Sequence, residues 1–134
     1  MEPIKSSLLM NNMYFNKLKF VRSGPKNTKE VEYKLSANIG ADSDNHYKVT
    51  LILQGQKQDE YDVELELVGH FTLESSSELS TEKKDILMKK NAVSILMPYI
   101  RSQLSLLTAQ PEVECQVLPP INVAKMFEEA QKGE

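Results

Sequence analysis

Along residues 31–39 the chain alternates without a break: Val31, Tyr33, Leu35, Ala37 and Ile39 are apolar, and Glu32, Lys34, Ser36 and Asn38 between them are polar. Successive side chains of a strand point to opposite faces, so this period of two predicts a strand with one buried face. The same period runs through Tyr47, Val49, Leu51 and Leu53, and again through Tyr61, Val63, Leu65, Leu67, Phe71 and Leu73. An earlier segment, NMYFNKLKFV, is less regular: Tyr14, Leu18 and Phe20 are read onto one face, with Met13, Phe15 and Val21 on the other. The polar stretches GPKN, GADSDN and GQKQDE separate the four segments and predict hairpin-like turns between antiparallel strands.

After ESSSELS the period lengthens to that of a helix. Val93, Leu96, Met97, Ile100, Leu104 and Leu107 recur at the i, i+3, i+4, i+7 spacing of an amphipathic stripe that begins near Ile86. Ser80 or Thr81 is placed to cap it, and Glu82 and Asp85 fall in its first turns. Pro98 lies inside the run and has no N–H to offer the carbonyl of Ser94, which predicts a bend there. Past Pro119 and Pro120, Asn122 can cap a short second helix with Val123, Met126, Phe127 and Ala130 on one face. The expected fold is α+β: a four-stranded antiparallel sheet, a long kinked helix and a short C-terminal helix, in one domain whose core runs from residue 12 to 128.

A helix over 81–108 would be about 40 Å long, whereas four strands span only about 20 Å. Laid across the strands it overhangs, and laid along them it leaves apolar sheet surface wet, which marks an interface. Self-association is therefore expected, with Leu96, Ile100, Leu104 and Leu107 as the candidate oligomer interface.

Charge and chemistry narrow the functions. The net charge is −3 with 40% hydrophobic residues, and the basic residues are scattered, so no nucleic-acid partner is expected. Lys83, Lys84, Lys89 and Lys90 are interrupted by Asp85 and read as a solvated helix face. No apolar run has the length of a signal peptide or a bilayer span, so no membrane insertion is expected and the cytoplasm is the expected location. Cys115 is alone, which fits a reducing compartment and reads as a small buried hydrophobe. His46 and His70 have no metal-ligand spacing, no glycine-rich phosphate loop is present, and the glycines read mostly as turn residues, so neither metal nor cofactor is expected. Alternation sends Asp62, Glu64 and Glu66 to one face, where like charges suit solvent or a basic partner better than acid–base work. Apolar surface without a reaction centre points to a binding module rather than an enzyme.

The order of elements and several residues resemble the SecB family of export chaperones. NAVSILMPYIRSQLSLL resembles the family's Ile-Leu-Phe-Pro-Tyr segment at Ile95, Leu96, Met97, Pro98 and Tyr99. LPPINVAKMF is similar to the family's Leu-Ala-Pro-Val-Asn-Phe run at Leu118, Pro120, Ile121, Asn122 and Val123. NMYFNKLKF and VGHFTL resemble the first strand and the end of the fourth. The resemblance implies a dimer of dimers, a homotetramer with the long helices between sheets, that holds unfolded chains in apolar grooves without cofactor or nucleotide. On it, the client groove falls at Tyr33, Leu35, Tyr99, Leu118, Ile121, Val123 and Phe127, and a docking face for the translocase motor SecA at Asp62, Glu64 and Glu66. Val113 and Glu114 stand where the family has Phe-Pro, Lys17 and Val21 where export members carry acid, and the end EEAQKGE lacks their zinc tail. An ATP-independent holdase for unfolded preproteins is the first expectation. A dedicated chaperone for the antitoxin of a toxin–antitoxin system is the alternative, and a small-ligand carrier the second.

Overall fold

In the computed structural model, residues 7–43, 45–74 and 81–119 are described. Four strands, β1 (Ser7–Arg22), β2 (Val31–Ser43), β3 (His46–Lys57) and β4 (Tyr61–Glu74), form one antiparallel sheet in the order β1-β4-β3-β2. They are followed by helix α1 (Thr81–Leu87), a π-helical turn over Met88–Ala92, and helix α2 (Val93–Thr108). The short C-terminal helix expected after Pro120 lies outside the described residues, as does Ser80.

Three expectations are corrected. First, β1 and β2 are the two edges of the sheet, so the connection holding GPKN is a crossover and not a hairpin. Second, β1 slips its register twice against β4, between Met10 and Asn12 and between Phe15 and Lys17. A bulge adds one residue and reverses which positions face the core. Met13 and Phe15 therefore share the inner face with Phe20 and pair with Gly69 and Leu67, while Tyr14 points outward opposite Val68. Third, Gly40, Gly55 and Gly69 lie inside strands rather than at turns. The reversals use Asn45 and Asp59, both with φ near +60°, a conformation that short polar side chains tolerate.

The α-helical pattern breaks at Met88–Ala92, and Pro98 lies within α2. Ser94 Oγ donates to the carbonyl of Lys90 beside the break. Gly69 seats α2 on the sheet, because a Cβ there would lie 2.8 Å from the Phe71 ring and 2.9 Å from Leu96. The core beneath joins Val49, Leu51, Leu53, Leu65, Leu67 and Phe71 to Val93, Leu96, Ile100 and Leu104, all at most 1% exposed.

The crossover is tied down at the turn between β3 and β4. Ser23 and Gly24 donate their amides to the Glu60 carbonyl, at 2.7 and 3.2 Å. The buried Glu60 carboxylate pairs with the buried Lys57 ammonium at 3.0 Å and accepts the Asn27 amide at 2.8 Å. Burial pushes this carboxyl up, but the Asn27 amide, Lys57 and the charge of Arg22 together hold it below the usual glutamate value.

Replacing Lys57 by Met should destabilise the fold by about 3 kcal/mol in urea, because it strands a buried carboxylate. Since the folded carboxyl ionises more readily than an unfolded glutamate near 4.3, the stability from Glu60 is present above that value and is lost as pH falls through the lower, folded one. Urea midpoints followed from neutral pH into acid should therefore drop further for the natural chain than for Glu60→Gln.

Candidate functional site

Helix α2 rests chiefly on β3 and β4, the two central strands. The inner faces of the outer strands are left beside it. On β2, Val31, Tyr33, Leu35, Ala37 and Ile39 are only partly buried. On β1, Leu8, Met10, Met13, Phe15 and Phe20 are also partly buried, and Leu18, opposite Leu65, is 51% exposed. Two apolar flanks thus run along the helix.

The β2 flank is partly filled by the chain that follows α2. After a turn at Glu112, whose carbonyl accepts from Arg22 at 2.9 Å, this chain runs back along the helix. Val113 and Leu118 are buried, at 8% and 4% exposure. The Arg101 guanidinium donates from Nε and Nη2 to the Leu118 carbonyl, at 3.1 and 2.9 Å. Ser105 Oγ donates to the Gln116 carbonyl at 2.7 Å, and Thr108 Oγ1 accepts the Gln116 amide at 2.8 Å. From the sheet, the Tyr33 hydroxyl donates to Gln116 Oε1 at 2.7 Å. The Tyr33 ring lies over Gly55, where a Cβ would come within 2.9 Å of it, and burial followed by the neighbouring Tyr61 raises its phenol above the ordinary value. Tyr61 itself packs on Phe20 with ring centroids 4.7 Å apart, and burial followed by Glu60 and Glu114 pushes its phenol up to about 12.

The outer face of the sheet is polar and mixed in charge. Asp62, Glu64 and Glu66 do lie together there, but Lys17 pairs with Glu64 at 3.1 Å, Lys19 stands opposite Glu64, and Asn16 donates to Glu66. A concavity of about 480 Å³ beside them is lined by Lys19, Lys34, Glu32, Gln54, Asp62 and Glu64. The two histidines also lie on this face, His70 stacked on Tyr14 with centroids 5.9 Å apart and His46 against Thr72 at 3.0 Å. Among the described residues no helix is long and apolar enough to cross a membrane.

The family model described as preprotein translocase subunit SecB matches residues 7–134. The chain belongs to the SecB family. An uncharacterised protein of Methanocaldococcus jannaschii is 27% identical over 138 residues, covering 93% of this chain and 85% of that protein. Among solved structures, a Mycobacterium tuberculosis SecB-like chaperone in complex with a ChAD peptide from the HigA1 antitoxin has the same fold, with a TM-score of 0.63 and 17% identity, over 85% of this chain and 90% of that one. The four-stranded antiparallel sheet with its helix is the SecB-like fold.

Of the residues expected at a SecB-type groove, Tyr33 and Leu118 come together on the β2 flank through Gln116 and Arg101, and Leu35 lies two positions along β2 from Tyr33. Tyr99 does not join them: two residues from Arg101 is about 200° round a helix, which puts it on an exposed ridge with Leu106. Ile121, Val123 and Phe127 lie outside the described residues. The expected interface residues Leu96, Ile100 and Leu104 are fully buried within the single chain, so they are core, and Leu107 packs against the same core. Cys115 is exposed rather than buried, its thiol facing the Ser105 carbonyl at 3.4 Å. Arg101, Ser105 and Gln116 were missed, since polar residues at the boundary of an apolar stripe look like ordinary surface.

Replacing Gly69 by Ala should force Leu96 and Phe71 apart and lower stability by about 1–3 kcal/mol in urea denaturation. An unchanged midpoint would mean that α2 does not depend on this close approach.

Proposed function

We propose that this chain is an ATP-independent holdase chaperone that binds unfolded polypeptides along the flanks of α2. The supporting observation is the half-exposed inner face of both outer strands, apolar along its length. Apolar area selects by burial and not by hydrogen-bond geometry, so many sequences bind through many weak contacts. A small-ligand carrier is the weaker reading, because the concavity of about 480 Å³ on the outer face is lined by charges of both signs, with Lys19 opposite Glu64.

The client is a preprotein on the export reading and one antitoxin on the dedicated reading. Two observations favour the dedicated one. The acid of the outer face is partly neutralised by Lys17, which weakens a SecA-docking surface, and the solved SecB-like chaperone of similar fold holds an antitoxin peptide. The proposed location is the cytoplasm, and the proposed chemistry is binding alone.

Assembly as a dimer of dimers belongs to the same proposal. Among the described residues, the outward ridge of α2 offers a surface for it, with Tyr99 42% and Leu106 68% exposed, because the sheet-facing row is occupied within the chain.

A molar excess of this protein should suppress light scattering by a chemically unfolded, slow-folding protein without nucleotide or metal, and the suppression should persist at high salt. Aggregation that proceeds unchanged would remove the holdase reading. In the same titrations, labelled SecA should bind weakly and lose binding as salt screens the exposed charges; tight, salt-resistant binding would favour general export.

Light scattering should give roughly four times the chain mass of 15.2 kDa. Leu106→Ser should shift that mass downward while the circular dichroism stays native, whereas Leu104→Ala should lose about 2–5 kcal/mol of stability through a core cavity.

A further inference from the structure

The bonds from α2 that hold residues 116–118 share one composition. Arg101, Ser105 and Thr108 stand at i, i+4 and i+7, in one row along the helix. All three use side chains to grip main-chain atoms: the Leu118 carbonyl, the Gln116 carbonyl and the Gln116 amide. None of them reads a side chain.

The spacing explains why such a row suits an extended chain. Four residues of helix advance about 6.0 Å, and two residues of extended chain advance about 6.6 Å. Rungs at i and i+4 therefore meet alternate carbonyls of a strand running antiparallel to the helix, as Arg101 and Ser105 meet Leu118 and Gln116. Residues 114–119 pair with no strand and form no helix. They also carry the form of a bound peptide, with Leu118 buried and the next side chain, Val117, 76% exposed.

We propose that this flank of α2 is a binding site for extended polypeptide backbone, that residues 116–118 occupy it in the free protein as an internal stand-in, and that unfolded client segments enter by exchange with them. This rests on the holdase reading and adds to it a hydrogen-bonding site that takes any sequence. The same apolar surface that receives Leu118 receives a client side chain, while Arg101 and Ser105 receive the client carbonyls. The internal segment sets a threshold, because a client must outcompete a tethered competitor present at high effective concentration.

The Gln116 amide is the reporter, since its acceptor is Thr108 Oγ1. Amide hydrogen exchange is measured on the natural full chain, with and without a reduced, carboxymethylated protein that stays unfolded in native buffer. The expected result is several-fold faster exchange at Gln116 on saturation, with β3 and β4 amides unchanged. Client binding with unchanged or slower exchange at Gln116 overturns the exchange mechanism and leaves holding intact. Absence of any client binding by the natural chain removes the holdase reading and this site together.

Two variants separate a binding row from a purely structural clasp. Gln116→Ala frees the segment from Tyr33 and leaves the row intact, so client affinity should rise about three- to ten-fold, the worth of one hydrogen bond. Arg101→Met removes a rung from the client and from the internal segment alike, so in an exchange the two losses offset each other and client affinity should stay within about two-fold. A structural clasp is loosened by both substitutions, so an equal rise in client affinity for Arg101→Met and Gln116→Ala overturns the proposal.

Discussion

An α-helix with its side chains is about 10 Å across, and each strand occupies about 4.8 Å of sheet. One helix therefore has room to seat on two strands of a four-stranded sheet. In this chain α2 takes β3 and β4, and everything else about the surface follows from what it cannot reach. The sheet keeps an unbroken apolar inner face, but its outer strands are covered only in part. The flanks are the remainder of a width mismatch, which is why they are apolar and elongated.

The two flanks are not equivalent. Along β2 the chain folds back on itself and covers some of the surface with its own residues 113–118, buried at Val113 and Leu118 and gripped in between. Along β1 the surface is more open, and the strand itself is interrupted by two bulges. Bulges twist an edge and discourage indiscriminate pairing with other chains, which matters for a protein that offers apolar surface. At the far end of the sheet, a buried carboxylate and ammonium lock the crossover between the two edge strands over the β3–β4 turn. Without that lock the edges would be joined only by a polar connection.

Membership of the SecB family is consistent with this division of labour. The inner face of the sheet and α2 supply apolar area, and the outer face is a separate polar surface with its own charge balance. On that outer face, lysines of β1 stand opposite glutamates of β4. The charged outer face is thus separated by the thickness of the sheet from the apolar inner face.

Much of the fold was legible in the alternation of β2, β3 and β4, because a sheet with one wet face writes its period directly into the residues. β1 was misread at Tyr14 for the same reason, since a single inserted residue reverses the parity and composition does not reveal which residue is the insert. The apolar stripe of α2 was correctly located and does pack on the chain's own sheet, which takes up Leu96, Ile100 and Leu104 completely. Leu96, Ile100 and Leu104 could equally have met a neighbour or the chain's own sheet, and only the seating on Gly69 decides for the sheet. By itself, then, the sequence determined the faces of β2, β3 and β4 and the apolar stripe of α2, all of which are local properties of spacing. The tertiary structure alone decided the strand order, the break at Met88–Ala92, the separation of Tyr99 from Tyr33, and the row of Arg101, Ser105 and Thr108 on residues 116–118. Those depend on which surfaces meet, and side chains that bond to backbone leave no complementary residue in the sequence by which their partner could be found.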